Sequence, residues 1–249
     1  MIGSSNLFSS QLPADLNPKT DIEMLLLREY GSMFAARGGA VPPPNIIFAD
    51  PSEVVAFQNS VEIRRAVIGG FVLELQATAM GALLAAIEEA DSVGLTISPR
   101  GQESARRDYV GTVELWASRV EPALEYWLNE GRLDPSDAER IRSLSPFGQV
   151  PDVLRLESKG IWFAKDLSKS IIYSVAPPGA SQHLSMLAFD VKEFADASVR
   201  EILARHGWFQ TVVSDLPHFT YIGVEESELS GLGLKRVDSG DQVFWVPDI

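Results

Sequence analysis

The feature of this chain that most restricts its fold is the order of its hydrophobic patterns. Helical periodicity dominates the N-terminal part, with one pattern over residues 77–90 and the longest over 108–130. In the C-terminal part, apolar runs of strand length at 187–191 and 218–224 are separated by segments that contain Pro and Gly. The earlier spacing indicates amphipathic helices, whereas the later short runs indicate strands. We therefore expect an α+β fold in which several helices pack against a small antiparallel sheet.

Weaker patterns predict the remaining elements. The longest helix contains Pro122, which should kink or split it because proline removes a helical hydrogen bond. Further helices are predicted at 21–36, from 134 onward and at 196–205. Further strands are predicted at 61–67, 73–76, 95–98 and 171–175. Residues 234–237 and 243–246 are predicted to form a hairpin that turns at 238–241.

The chain is expected to form one large domain. Residues 1–20 are rich in Ser, Asn and Pro, which predicts an irregular N-terminal arm. Residues 21–249 then form a single α+β domain with a helical insert at about 103–145. A domain boundary near 145–150 is the weaker alternative, and the chain contains no internal repeat.

Composition excludes several classes of function. The net charge is -13, from 34 acidic and 21 basic residues, which disfavours binding to nucleic acids and to anionic membrane surfaces. The chain has no cysteine, which excludes disulfides, thiolate nucleophiles and Cys-type zinc sites. No apolar run approaches the about 18 residues of a membrane span. The first ten residues lack the pattern of a signal peptide. The compartment stays open between the cytoplasm and, if a leader has been removed, the periplasm or the extracellular space.

Two of the three histidines each lie near an aspartate in sequence. His183 precedes Asp190 by seven residues, and Asp215 precedes His218 by three. Asp190 lies in an apolar run, where a carboxylate needs an exposed edge or a specific partner such as a cation. Zinc binds neutral imidazoles and carboxylates, so His183, Asp190 and His218 are candidate ligands and Asp215 a candidate base. Alternatively, these histidines are ordinary surface or hydrogen-bonded residues at strand ends. His206 is expected to have only a capping role at a helix end.

Residues 178–191 resemble the signature Ser-x-His-x-x-Gly-x-Ala-x-Asp of the zinc D-alanyl-D-alanine carboxypeptidase and dipeptidase family. That family acts on bacterial cell-wall peptides and shares its fold with the hedgehog signalling domain. Its second motif, Glu-x-x-His, opens a later strand after a helix and a Gly-aromatic pair. Here Gly207-Trp208 is followed by Asp215-Leu-Pro-His218. The resemblance covers roughly residues 73–224.

The resemblance implies a zinc cofactor and a set of site residues. His183, Asp190 and His218 would hold the zinc, and Asp215 would replace the catalytic Glu of the family. The substrate would be a short peptide, such as a peptidoglycan stem peptide that ends in D-Ala-D-Ala.

Two further positions follow from the resemblance. Arg100 would contact the scissile carbonyl or the terminal carboxylate of the substrate, with Arg106 or Arg107 as alternative counterparts. Ser181 would help to line the site.

Three residues depart from the family pattern. Met186 replaces the signature glycine, Pro217 replaces the usual aromatic residue before the second histidine, and Asp215 is one methylene shorter than Glu. These departures leave two alternatives to a peptidase. One is a zinc-binding or peptide-binding protein of the same fold without activity, and the other is a globular domain without a metal.

Overall fold

The computed structural model describes residues 7–13 and 16–249, a mixture of helices and small antiparallel sheets. The expected α+β class is thereby confirmed. The helices are α1 (Leu7–Gln11), α2 (Asp21–Tyr30), α3 (Pro51–Ser60), α4 (Ala77–Ser92), α5 (Tyr109–Asn129), α6 (Pro135–Ser143), α7 (Gln149–Glu157) and α8 (Ala197–Arg205). The strands are β1 (Ile63–Ile68), β2 (Phe71–Gln76), β3 (Ala188–Asp190), β4 (Trp208–Gln210), β5 (His218–Tyr221), β6 (Leu234–Ser239) and β7 (Gln242–Pro247).

The chain divides into two compact units, each of which is built from separate stretches of sequence. Within the described residues, the first unit comprises 7–13, 16–46, 55–107 and 182–249. The second comprises 47–54 and 108–181. The helical insert expected at about 103–145 lies in the second unit from residue 108 onward, and that unit continues to residue 181.

In the second unit, α5 is amphipathic and uninterrupted. Its N-cap is Asp108, whose carboxylate accepts a hydrogen bond from the Gly111 N–H at 2.7 Å. The buried side chains of α5 include Trp116, Val120, Ala123, Leu124 and Trp127. Pro122 lies inside this helix and does not split it. Burial of the apolar face compensates for the hydrogen bond that proline removes.

The prediction of a strand at 171–175 is wrong, because Ile171–Tyr173 is a 3-10 helix. The Ser170 hydroxyl caps this turn by accepting from the Ile172 N–H. The Glu157 carboxylate accepts from the Ile171 N–H at 2.7 Å. These side-chain acceptors satisfy N–H groups that would otherwise need a partner strand, while both isoleucines are still buried.

The first unit contains a three-stranded antiparallel sheet in the order β3-β5-β4. The strands predicted at 187–191 and 218–224 correspond to β3 and β5, and the third strand, β4, was not predicted. Side chains alternate between the two faces of a strand, so Phe219 and Tyr221 share one face of β5. That face belongs to the core that also contains buried residues of α4 and α8. The opposite face carries His218 and Thr220.

Two hairpins complete the first unit. The β1–β2 hairpin turns at Gly69-Gly70, whose φ angles of 58° and 86° suit a tight two-residue turn. The predicted β6–β7 hairpin is present with Ser239 opposite Gln242. The strand predicted at 95–98 is absent, and an isolated bridge joins Pro99 to Val191 instead.

The predicted N-terminal arm is not entirely irregular, because α1 lies within it. Phe8 of this helix is buried in a core cluster of the first unit, which anchors the segment. Residues 1–6 and 14–15 of the arm lie outside the described part of the chain. No helix among the described residues combines the length and the hydropathy that crossing a membrane requires.

Candidate metal centre

Three side chains predicted as metal ligands converge in the first unit. His183, Asp190 and His218 each offer one ligand atom, and these atoms lie within 4.8 Å of one another. Asp190 Oδ1 is 3.3 Å from His183 Nε2 and 3.2 Å from His218 Nδ1. This group could therefore hold a metal ion.

The register of β3 and β5 brings Asp190 and His218 together. Asp190 lies directly opposite His218. The backbone hydrogen bonds of this ladder join Val191 to Pro217 and Tyr221 to Leu187. Asp190 and His218 are consequently a non-hydrogen-bonded pair, the kind of cross-strand pair whose side chains approach most closely.

A short 3-10 helix, Gln182–Ser185, presents His183. The Ser185 hydroxyl donates to the Gln182 carbonyl oxygen at 2.6 Å and accepts from the Leu187 N–H at 3.1 Å. Met186 then ends the turn with a φ of 58°, in the left-handed region that favours glycine. Met186 stands where the signature that residues 178–191 resemble has glycine, and its backbone has a conformation that glycine adopts readily.

The Ala105 carbonyl oxygen fixes the tautomer of His183. It lies 2.7 Å from His183 Nδ1. A carbonyl oxygen only accepts, so Nδ1 carries the proton, and a neutral ring then has its lone pair on Nε2. That lone pair belongs to the atom nearest Asp190.

The Gln182 amide fixes the tautomer of His218 in the same way. Gln182 Nε2 donates to the Tyr30 carbonyl oxygen at 2.8 Å, which orients the amide. Its Oε1 therefore accepts from His218 Nε2 at 2.9 Å, and also from the Thr220 hydroxyl. A neutral His218 then has its lone pair on Nδ1, the atom that faces Asp190.

When both imidazoles are neutral, His183 Nε2, His218 Nδ1 and the Asp190 carboxylate are three hydrogen-bond acceptors around one point. Burial lowers the pKa of His183, although Asp190 works in the opposite direction. Burial alone would raise the pKa of Asp190, but His183 and His218 outweigh it and hold that pKa below its usual range. Neutral imidazoles and an ionised carboxylate are the forms that bind metals. Without a cation, their lone pairs would face one another at close range.

The two separations from Asp190 Oδ1 suit a tetrahedral ion. Two ligands bound at about 2.0–2.2 Å with tetrahedral angles are about 3.3–3.6 Å apart. The two contacts of Asp190 Oδ1, 3.3 and 3.2 Å, are close to this spacing. The side chains of His183 and His218 are 4% and 6% exposed, whereas that of Asp190 is 18% exposed. Asp190 is therefore the most exposed of the three.

Asp215 lies one turn before His218. The Asp215 carbonyl oxygen accepts from the His218 N–H at 3.1 Å, so its backbone helps to place the ligand. Its side chain is exposed, and it is outside the group of three converging ligands. Pro217 donates no hydrogen bond, but its carbonyl oxygen accepts from the Val191 N–H at 2.9 Å and helps to set the register.

Each of the three candidate arginines has a different environment. The Arg100 side chain is exposed, and its backbone N–H donates to the Asp190 carbonyl oxygen at 3.2 Å. Arg106 is paired with Glu74. Arg107 is half-buried, and its charge helps to lower the pKa of His183. Arg107 is thus the arginine with an electrostatic effect on a candidate ligand.

The other two predicted residues lie in different surroundings. Ser181 is buried and is the last residue of the second unit, directly before Gln182 in sequence. His206 is 2.8 Å from a carboxylate oxygen of Glu89 and follows α8, which agrees with its expected role at a helix end.

A cavity of about 540 Å³ lies elsewhere in the first unit, lined by aromatic and charged side chains that include Trp208 and Trp245. The three candidate ligands do not line it. Arg236 and Arg205 at its wall are paired with Asp238 and Glu89. The cavity thus adds no group to the metal centre.

Sequence patterns did not identify the groups that orient the two histidines. Ala105 contributes only a backbone carbonyl, which leaves no trace in residue type. Gln182 lies between Ser181 and His183 in the signature. A side-chain amide next to a candidate ligand could have indicated a residue that orients the site. No protein-family model matches the chain, and no curated protein matches it significantly.

Proposed function

We propose that the protein is a zinc-dependent peptidase of the carboxypeptidase or dipeptidase type, with the small sheet of a hedgehog-like peptidase fold carrying its metal. One observation supports this most strongly. Two histidines, each with one ring nitrogen hydrogen-bonded to a fixed acceptor, bring their other ring nitrogens to 3.3 and 3.2 Å from the same carboxylate oxygen. Outer partners of this kind are typical of imidazoles that bind metals.

The donor set favours zinc over other common ions. Two imidazoles and one carboxylate are a frequent set in catalytic zinc sites, whereas magnesium and calcium prefer oxygen ligands. Zinc, when bound, supplies a Lewis acid that polarises a carbonyl group and makes water more acidic.

The residues of the chain would supply the rest of the chemistry. Asp215 would take a proton from the attacking water and pass it to the leaving amine, which requires its carboxylate to turn towards the metal centre. Arg107 or Arg100 would bind the terminal carboxylate of a short peptide or stabilise the oxyanion. The resemblance to the D-alanyl-D-alanine family makes peptides that end in D-Ala-D-Ala the first substrates to test, and Ser181 is proposed to help line their site.

Peptide hydrolysis by the zinc-loaded protein tests this proposal. We expect release of D-Ala from a peptide ending in D-Ala-D-Ala, and loss of that release in Asp215→Ala while zinc stays bound. Asp91→Ala is a matched control, because Asp91 is also an exposed aspartate. The peptidase proposal fails if the zinc-loaded protein cleaves no member of a broad panel of L,L- and D,D-peptides.

A second candidate is a metal-binding or peptide-binding protein of the same fold without peptidase activity. The exposed side chain of Asp215, outside the converging group, favours this alternative. It predicts stoichiometric zinc binding without cleavage, and equal behaviour of the wild type and Asp215→Ala.

A further inference from the structure

The buried amide of Gln58 joins the two segments that present and orient His183. Gln58 lies near the end of α3 and is 1% exposed. Its Nε2 donates to the Arg107 carbonyl oxygen at 3.0 Å and to the Leu184 carbonyl oxygen at 3.1 Å. Arg107 follows Ala105 by two residues, and Leu184 directly follows His183.

The same two segments also contact each other directly. His183 Nδ1 donates to the Ala105 carbonyl oxygen, and the Arg107 N–H donates to the His183 carbonyl oxygen at 3.3 Å. Gln58 therefore closes a small network in which one donor joins the segment that carries the orienting carbonyl of Ala105 to the segment that carries the imidazole of His183.

The partners of Gln58 leave its amide a single orientation. Both protons of Nε2 go to carbonyl oxygens, and Oε1 accepts from Arg106 Nε at 2.8 Å. A flipped amide would place its oxygen against two carbonyl oxygens. The Glu74 carboxylate pairs with Arg106 from the other side, and hydrogen bonds from Arg106 and Arg65 lower the pKa of Glu74 against the effect of burial.

No other side chain of similar size reproduces these contacts. Methionine fills a similar volume but donates no hydrogen bond, so two carbonyl groups would lose their donor. Asparagine keeps the amide but is one methylene shorter and cannot span the two carbonyl oxygens while still reaching Arg106.

We propose that Gln58 is a positioning residue of the metal centre, which sets the direction of His183 Nε2 by fixing the Ala105 carbonyl relative to the imidazole. This inference rests on the proposed metal centre. It adds a residue that lies outside the resemblance and 125 positions before His183. Loss of a partner that orients a ligand typically lowers metal affinity by about 10–100-fold.

The test compares Gln58→Met with Ser32→Ala in the full chain. Ser32 is a matched control, because its buried hydroxyl also donates to a backbone carbonyl, that of Trp245, at 3.0 Å. Zinc affinity is measured by competition with a chromophoric chelator, and the cobalt-loaded proteins are compared by visible spectroscopy. We expect Gln58→Met to bind zinc about 10–100-fold more weakly, with an altered cobalt spectrum, and Ser32→Ala to match the wild type in both.

A purely structural role for Gln58 gives a different result. It would lower the thermal stability of metal-free Gln58→Met and leave the zinc affinity of the folded variant unchanged, which would overturn the inference. If Gln58→Met does not fold, Gln58→Asn takes its place with the same expectation. A wild-type protein that binds no zinc would overturn the proposed metal centre itself. Equal zinc affinities in the wild type and Gln58→Met would overturn only the role of Gln58, so the two failures are distinguishable.

Discussion

Asp190 and His218 lie directly opposite each other on antiparallel strands β3 and β5, with Asp190 Oδ1 3.2 Å from His218 Nδ1. A shift of one residue in this pairing would turn one of the two side chains to the opposite face of the sheet. The convergence of these two candidate ligands is therefore a consequence of strand register. The carbonyl oxygen of Pro217, which accepts from the Val191 N–H, is one of the contacts that fix that register.

Removal of one ligand should abolish tight metal binding. In His183→Ala, two ligands remain, and the loss of affinity should exceed the about 10–100-fold that an outer partner contributes. His206→Ala is the matched control, because this histidine binds Glu89. Titration with cobalt, followed by visible absorption, measures the difference. Equal affinities in the two variants would be incompatible with His183 as a ligand.

Removal of the Gln182 amide should weaken the centre without removing a ligand. Gln182→Met leaves His218 Nε2 without its acceptor, so the ring can change tautomer and turn Nδ1 away from Asp190. We expect about 10–100-fold weaker zinc binding. Thr211→Val should have little effect, because Thr211 contacts Gln182 and Thr220 but makes no hydrogen bond to the imidazole. Nitrogen chemical shifts of the histidines report the tautomer, and an unchanged His218 tautomer in Gln182→Met would refute this role.

Backbone strain at Met186 predicts an unusual order of stabilities. Both Met186→Gly and Met186→Ala remove a fully buried side chain, at a cost of about 2–5 kcal/mol. Only glycine relieves the left-handed backbone conformation, which costs other residues about 1–2 kcal/mol. Met186→Gly should therefore have a free energy of unfolding about 1 kcal/mol above that of Met186→Ala. Urea denaturation measures both, and the reverse order would contradict the strain.

Glu157 should make the second unit less stable as the pH rises. Burial raises the pKa of its carboxyl above the ordinary value of 4.5, against hydrogen bonds from Ser170, Ile171 and Phe163. The folded state thus binds its proton more tightly than the unfolded state, so stability falls as the pH rises above 4.5 and through the folded pKa.

Glu157→Gln isolates this effect, because the amide does not titrate. The wild type should lose stability relative to the variant between acidic and neutral pH, as measured by urea unfolding at a series of pH values. Other acidic groups of the second unit, such as Asp137 and Asp152, have lowered pKa values and act in the opposite direction in both proteins. A difference between wild type and variant that is constant with pH would contradict the raised pKa.

Local patterns predicted most elements of the fold. The amphipathic spacing of α4 and α5 and the turn residues of the β6–β7 hairpin are properties of contiguous sequence, and these elements are present. The apolar run at 171–175 was misleading, because β-branched residues are compatible with any buried conformation whose N–H groups find acceptors. Here the acceptors come from Ser170 and Glu157, outside the run.

The candidate site was predictable only in part. Two residue types that bind metals, histidine and aspartate, occur at suggestive spacings and pointed to His183, Asp190 and His218, which the fold brings together. Their orientation depends on the Ala105 carbonyl, 78 residues from His183, and on the Gln182 amide, 36 residues from His218. Such long-range partners follow from the packing of the whole unit, and periodicity does not reveal them.

Zinc-edge anomalous diffraction from crystals grown with zinc tests the central claim most directly. The account predicts one strong peak within bonding distance of His183 Nε2, Asp190 Oδ1 and His218 Nδ1, at about 2.0–2.2 Å from each. The absence of a peak between these atoms in the presence of excess zinc, or a peak held only by other residues, would contradict it.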